Sequence, residues 1–320
     1  MIRRLIATAL LVACVSPALS QSSYPDRPIR VIVPFAAGGA VDVMARLFAE
    51  KGAAALGVPM IVENRAGASG TIGGQVVHQA APDGYTLLFA PLTHVMANAV
   101  LNAVPYDAVN DFTPIARVGE SPMLVVESLK MTPNTLAEVA KAAREHPADW
   151  TIATSGLGSA GHVASIELSN VSKANMTITP YRGTAPALTD VMGGHVQLLI
   201  DSIVTLLPPA RDNKVKALAI TAAKRSSLAP EVPTAEESGM PSLTFTSWFG
   251  FFGPKGLPKD VVTKLNGIFN EAGKQLAAEK RLDPLGAEPV TETPDDFGRF
   301  VRAQVERNTK LLEGAGFKPQ

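Results

Sequence analysis

The chain has 320 residues, 29 basic against 29 acidic, and is 46% hydrophobic and 18% charged. That length builds one large or two medium domains and needs no disulfide to hold its core. The lack of a basic block, of zinc-finger spacing and of more than a few tyrosines and tryptophans argues against a nucleic-acid surface.

Residues 1–20 read as a secretory signal peptide. Arg3 and Arg4 form a basic start, Leu5 to Val12 is a short apolar run, and Ala18-Leu19-Ser20 places small residues before a cut after Ser20. The run is too short to span a bilayer, so the mature protein is expected to be exported. Leu11-Val12-Ala13-Cys14 also resembles a lipoprotein box, which leaves a lipid anchor at Cys14 as the minor alternative. A cut after Ser20 removes the only cysteine.

Pro28 to Phe35 reads as a strand, and its β-branched Ile29, Val31, Ile32 and Val33 suit a buried parallel strand. Gly38-Gly39 breaks it, and Asp42 to Leu56 carries helical spacing that Gly57 ends. The cadence returns with a strand at Met60 to Glu63, a helix at Ile72 to Ala80, a turn at Pro82-Asp83-Gly84 and a strand at Tyr85 to Ala90. Strand, glycine turn, helix, strand predicts parallel βαβ units. A second series has strands at Met123 to Glu127, Trp150 to Ser155, Thr177 to Tyr181, Val196 to Ile200 and Val215 to Thr221. Its helices are expected at Pro133 to His146, Ala160 to Leu168 and Pro186 to Met192. The change of lobe is placed near Glu120 to Pro122. An aromatic run at Leu243 to Phe252 reads as a core strand, and helices at Lys259 to Gly273 and Pro294 to Glu313 complete the chain.

Three glycine-bearing loops follow predicted strands. Phe35 to Asp42 leads into a helix start, whose free N–H groups and dipole suit a carboxylate. It is neither a P-loop nor a dinucleotide fingerprint. Thr154 to His162 offers hydroxyls and backbone donors at another helix start; its Gly156-x-Gly158-x-x-Gly161 is a weak nucleotide match, and an anion nest is preferred. Tyr181 to Pro186 adds Tyr181 and Thr184, with Arg182 read either as a carboxylate partner or as an exposed arginine. Asp42 is either a helix cap or a site residue, and Asp201, at a strand end, either takes a ligand ammonium or hydroxyl or caps the next helix. His94, just beyond a strand, either lines the cleft or sits at the surface. No Gly-x-Ser-x-Gly elbow, His-Glu-x-x-His or other metal-ligand pair occurs, so no catalytic residue, metal or cofactor is expected. An organic-acid lyase or hydrolase is the enzyme alternative.

Ordered motifs then carry a resemblance: Tyr24-Pro25-Asp26-Arg27-Pro28-Ile29-Arg30-Val31-Ile32-Val33-Pro34-Phe35 with Gly38-Gly39-x-x-Asp42, Val62 to Gly70, Ala81 to Leu87, Tyr106-Asp107, Asp111 to Ala116, Pro180-Tyr181-Arg182-Gly183 and Val232-Pro233-Thr234. They resemble the Bug/TctC family of periplasmic solute receptors for tripartite tricarboxylate transporters, over essentially the whole mature chain. The resemblance implies an α/β, two-lobed Venus flytrap with crossing hinge strands: residues 21–121 plus 245–320 as the first lobe and 122–244 as the second. It implies a ligand site at Phe35, Ala37, Gly38, Gly39, Asp42, Leu92, Thr93, His94, Ser155, Gly156, Leu157, Gly158, Ser159, Tyr181, Gly183, Thr184 and Asp201. The implied ligand is a small organic carboxylate, held chiefly by backbone groups, and the implied partners are membrane permease subunits; the receptor itself is expected to be monomeric. A sensory role beside a membrane signalling protein is the alternative of the same class. Two departures, Ala37 where the family often has proline and Ile178-Thr179 where it often has His-Val, bear on pocket shape.

Overall fold

A computed structural model describes residues 24–320; the expected leader and Cys14 lie outside the described residues. Five strands build the first half of the sheet system: β1 (Ile29–Val33), β2 (Met60–Asn64), β3 (Thr86–Pro91), the first part of β4 (Phe112–Ser128) and, much later in the chain, a strand at Thr246–Pro254. Between them run α1 (Ala40–Leu56), α2 (Thr71–His78) and the short α3 (Leu92–Val95) and α4 (Ala97–Val100). The second half holds α5 (Leu136–Glu145), β5 (Thr151–Thr154), α6 (Ala160–Ser172), β6 (Thr177–Pro180), α7 (Thr184–Gly193), β7 (Leu198–Ser202), α8 (Ile203–Arg211) and β8 (Val215–Ile220). The strand at Thr246–Pro254 is β9; α9 (Lys259–Ala278), the two-residue β10 (Glu288–Pro289) and α10 (Pro294–Gly314) follow. The strand order is β2-β1-β3-β9-β4-β7-β5-β6, with β8 and β10 also on β4.

β1 pairs with β2 and β3 in parallel, as its buried β-branched residues Ile29, Val31, Ile32 and Val33 suit. Residues of alternate parity leave opposite faces. Val31, Val33, Leu87 and Phe89 join Phe48 of α1 and Phe269 of α9 on one side, while Ile32, Leu88 and Ala90 join Trp248, Phe252 and Phe297 on the other. Phe251 and Phe269 stack with ring centres 3.8 Å apart. Each such buried aromatic is worth about 1.5–3 kcal/mol. The second half repeats the arrangement, with Leu124 and Val126 facing Ile203 and Leu206, and Met123 and Val125 facing Ile152 and Val163. The core containing Trp248 continues past Met123 into α6, so one apolar body spans the junction.

The halves share β4. Its residues 112–122 pair with β9, and its residues 123–128 pair with β7 and β8. The sequence reading places a strand at Met123 to Glu127, with the change of lobe near Glu120 to Pro122. The chain instead runs through as one 17-residue strand. Pro122 is tolerated because it stands where the partners change: Pro122 is the last β4 residue opposite β9, and Met123 the first opposite β7. A second crossing returns the chain through Phe245 into β9, which lies between β3 and β4. The result is a two-lobed α/β fold with crossing strands. The sequence reading expects a helix after Asp201 without giving its bounds, because Pro208 and Pro209 inside α8 mask the helical pattern.

Candidate functional site

Strand direction fixes where a ligand can meet both lobes. β3 and β4 each run antiparallel to β9, so β1, β2 and β3 advance with β4 toward the second lobe. β7 is antiparallel to β4, and β5 and β6 run with β7, so these three advance toward the first lobe. Register makes the convergence quantitative. Pro91 at the end of β3 and Gly119 of β4 both lie opposite Phe249 of β9, while Ser202 at the end of β7 lies opposite Met123. Four residues of extended chain, about 13 Å, separate the two levels. The carboxyl ends of both strand sets, where open α/β sheets bind ligands, thus border one cleft.

The first-lobe loop after β1 is built by α1. Gly39 is its N-cap, and Asp42, three residues on, turns its carboxylate back to accept from the Gly38 N–H at 2.9 Å. Gly38 has φ +83°, which glycine adopts without strain. Asp42 is 3% exposed and also accepts from Arg46 and from Asn64, at 2.9 Å. Asn64 donates a second bond to the Phe35 carbonyl. Burial pushes the Asp42 carboxyl upward, but the bonds from Arg46, Gly38 and Asn64 outweigh it and hold the group below its ordinary value. Asp42 therefore shapes the loop, and its oxygens are committed within the protein. Phe35 is half-buried, and Ala37, Gly38 and Gly39 are exposed. Among the described residues, the N–H groups of Ala37, Ala40 and Val41 have no protein acceptor.

The second-lobe loop after β5 repeats this device. Ser159 is the N-cap of α6 and accepts from the His162 N–H at 3.1 Å; His162 in turn accepts, through Nδ1, from the Gly158 N–H at 3.3 Å. Gly158 has φ +73°. The Ser159 hydroxyl also donates to the Gly156 carbonyl and lies 3.1 Å from the Thr154 hydroxyl, so it is saturated. Ser155, Gly156 and Leu157 are partly exposed, and among the described residues their N–H groups have no protein acceptor.

The remaining predicted residues divide. Thr184 donates to Asp201 Oδ2 at 2.9 Å, and Ser202 N–H donates to Oδ1. Part of Asp201 stays open to solvent, but its carboxyl is enclosed. Burial pushes its pKa up, against the pull of the Ser202 N–H and of the Ser155 and Thr184 hydroxyls. Asp201 lies inside β7 and does not cap α8, since Ser202 holds the N-cap position. The Tyr181 hydroxyl donates to Asp190 at 2.6 Å, and the Gly183 N–H donates to the Ser155 carbonyl, so both donors are spent within the lobe. Burial, then Asp190, raises the tyrosine pKa to about 12. Arg182 is exposed. Leu92 and Thr93 are buried in α3, and His94 is 1% exposed with its ring against Phe112, Tyr106 and Phe252. Neither His94 nitrogen has a partner, and burial lowers its pKa to about 3. His94 belongs to the aromatic core behind the cleft, because α3 folds the chain inward directly after β3.

Sequence reasoning missed the turn after β2. Ala68 and Ser69 both take positive φ, 45° and 52°, between Gly67 and Gly70. Gly70 lies against Pro34 and Phe35, so this turn forms part of the first lobe's rim. Tandem left-handed non-glycine residues leave no periodic signal; the flanking glycines were the available cue. Two cavities lie elsewhere on the molecule, and only the second touches a binding loop, through Leu157. One, of about 580 Å³, lies between Tyr106, Asn110, Arg302 and Val305. The other, of about 380 Å³, has Leu157, His162, Met176 and Phe317 on its walls.

Two α/β lobes, two crossings and strand ends meeting at one cleft define a solute-binding protein. Residues 44–317 match the family described as tripartite tricarboxylate transporter family receptor, and the chain belongs to that family. It is 34% identical over 315 residues to protein BugT of Bordetella pertussis, covering 98% of this chain and 95% of that one. MatC from Rhodopseudomonas palustris, solved with bound malate, is 36% identical with a TM-score of 0.80, covering 90% of this chain and all of that one. An R. palustris protein solved with adipate is 31% identical with a TM-score of 0.83, covering 93% and all.

Proposed function

We propose that the chain is an exported periplasmic receptor that captures a small organic carboxylate between its lobes and delivers it, unchanged, to a separate membrane permease. One observation carries this reading: two capped glycine loops, Phe35–Asp42 and Ser155–Ser159, present uncommitted main-chain N–H groups at strand ends that border the same cleft. A carboxylate accepts several such bonds and is favoured by both helix starts. Arg46 is bound to Asp42 and Arg65 to Glu63, which leaves neutralisation in the first lobe to the backbone. Malate and adipate in two similar structures fit a ligand of this class.

In this reading the lobes are 21–121 with 245–320, and 122–244. Closure is a rotation about Ser121–Pro122 and Phe245–Thr246. Asp201 with Thr184 and Ser155 reads the far end of the ligand, and the receptor acts as a monomer. The test is a thermal-shift panel of malate, adipate, succinate and citrate against an organic amine, followed by mass analysis of ligand carried through purification. A carboxylate should raise the melting temperature and be recovered unaltered. A shift from the amine alone, or conversion of the acid to product, overturns the reading.

A further inference from the structure

The two loops are built alike, residue for residue. In each, a glycine with positive φ donates its N–H to the side chain four residues on, across a helix N-cap: Gly38 to Asp42 over Gly39, and Gly158 to His162 over Ser159. The first lobe uses a carboxylate for this task and the second a neutral imidazole. Because the Gly158 N–H donates to Nδ1, the imidazole proton sits on Nε2. A capping box ordinarily places Glu or Gln at this helix position. Histidine there keeps an acceptor without adding a negative charge beside a loop that faces an anion.

The ring is also held from behind. It is 2% exposed, and Phe317 packs on it edge-on at 5.2 Å. Phe317 follows α10, whose Phe297 sits against Trp248 in the first lobe. The same tail returns to the first lobe at Gln320, which exchanges backbone bonds with Val100 and Asn102. A side chain added at Gly158 would meet Val100 and Met96 of the first lobe at 3.1 and 3.2 Å. His162 thus joins the loop, α6 and a tail anchored in the other lobe.

We propose that His162 is the positioning residue of the second-lobe binding loop, the neutral counterpart of Asp42, and that Phe317 couples it to the first lobe. This rests on the reading of Ser155–Ser159 as a ligand loop. The substitutions are His162→Leu, which removes the acceptor; His162→Asn, whose Oδ1 occupies the place of Nδ1; and Phe317→Ala. Amide hydrogen exchange at Gly158 and Ser159 of the ligand-free protein, the loop amides with protein acceptors, reads the loop directly, and calorimetry with the carboxylate that binds the wild type reads affinity. The expected result is faster exchange and roughly tenfold weaker binding for His162→Leu, as one lost hydrogen bond implies, and a smaller loss for both Phe317→Ala and His162→Asn, the latter keeping the acceptor but not the ring that meets Phe317. Unchanged exchange in His162→Leu, or equal loss in the leucine and asparagine variants, overturns the proposal. Failure of every carboxylate to bind the wild type sinks the ligand reading, while the exchange experiment still decides whether His162 holds the loop.

Discussion

The Thr221 hydroxyl donates to the Phe245 carbonyl at 2.6 Å and accepts from the Met123 N–H at 3.2 Å. Thr221 is fully buried, and its backbone bonds the same two residues, accepting from Phe245 N–H and donating to the Met123 carbonyl. Both chain crossings are therefore clamped by one residue.

Thr221→Val keeps the shape and removes the hydroxyl, leaving a buried carbonyl and a buried N–H each short of a partner. A cost of about 1–3 kcal/mol is expected. Urea unfolding should show a lowered midpoint with an unchanged slope. A midpoint equal to wild type would mean that the hydroxyl contributes nothing to the junction.

Asp42→Ala should destabilise the protein by about 2–4 kcal/mol and weaken carboxylate binding, because Gly38, Asn64 and Arg46 lose one common acceptor. The Asp42 pKa is lowered in the folded state, so its contribution is present above the ordinary carboxylate value and lost as pH falls through the folded one. Melting temperatures of wild type and variant should converge in acid; a constant gap would detach the effect from ionisation.

Much of this framework was legible in the sequence. The β-branched run of β1 and the glycine pair after it announce a strand-to-helix turn, and Ser155–Ser159 does the same in the second lobe. What escaped was set by partners far along the chain. The Tyr181 hydroxyl goes to Asp190 and the Gly183 N–H to Ser155, so two apparent ligand donors are already used. The lobe change near Pro122 was legible, but not that β4 runs unbroken through it, because the sequence does not reveal that β9 and β7 hand over there. Asp42 stood open between cap and site residue because Asn64, on β2, is invisible from α1.

Asp201→Asn separates charge from shape at the far end of the cleft. The folded pKa of Asp201 is raised, so its stabilising contribution is present below the ordinary carboxylate value and is lost as pH rises. The variant should gain melting temperature over wild type at pH 7.5 and little at pH 4. If the carboxylate accepts from a ligand hydroxyl, the preference for malate over succinate should fall at least fivefold by calorimetry. An unchanged ratio would remove Asp201 from ligand selection.

His94→Phe tests the burial of an imidazole without partners. In the folded protein its pKa is lowered from 6.5 to about 3. The unfolded chain therefore takes up a proton that the folded state resists, and stability is full above pH 6.5 and lost as pH falls toward 3. The loss is about 1.4 kcal/mol per pH unit, or about 2–3 kcal/mol by pH 4.5. His162, lowered to about 4, acts in the same direction and remains in the variant. Phenylalanine keeps an aromatic ring among Tyr106, Phe112 and Phe252, so the drop in melting temperature between pH 7.5 and 4.5 should shrink while carboxylate affinity at pH 7.5 stays within twofold of wild type. A fall in affinity beyond tenfold, with acid sensitivity unchanged, would return His94 to the cleft and reverse its assignment to the core.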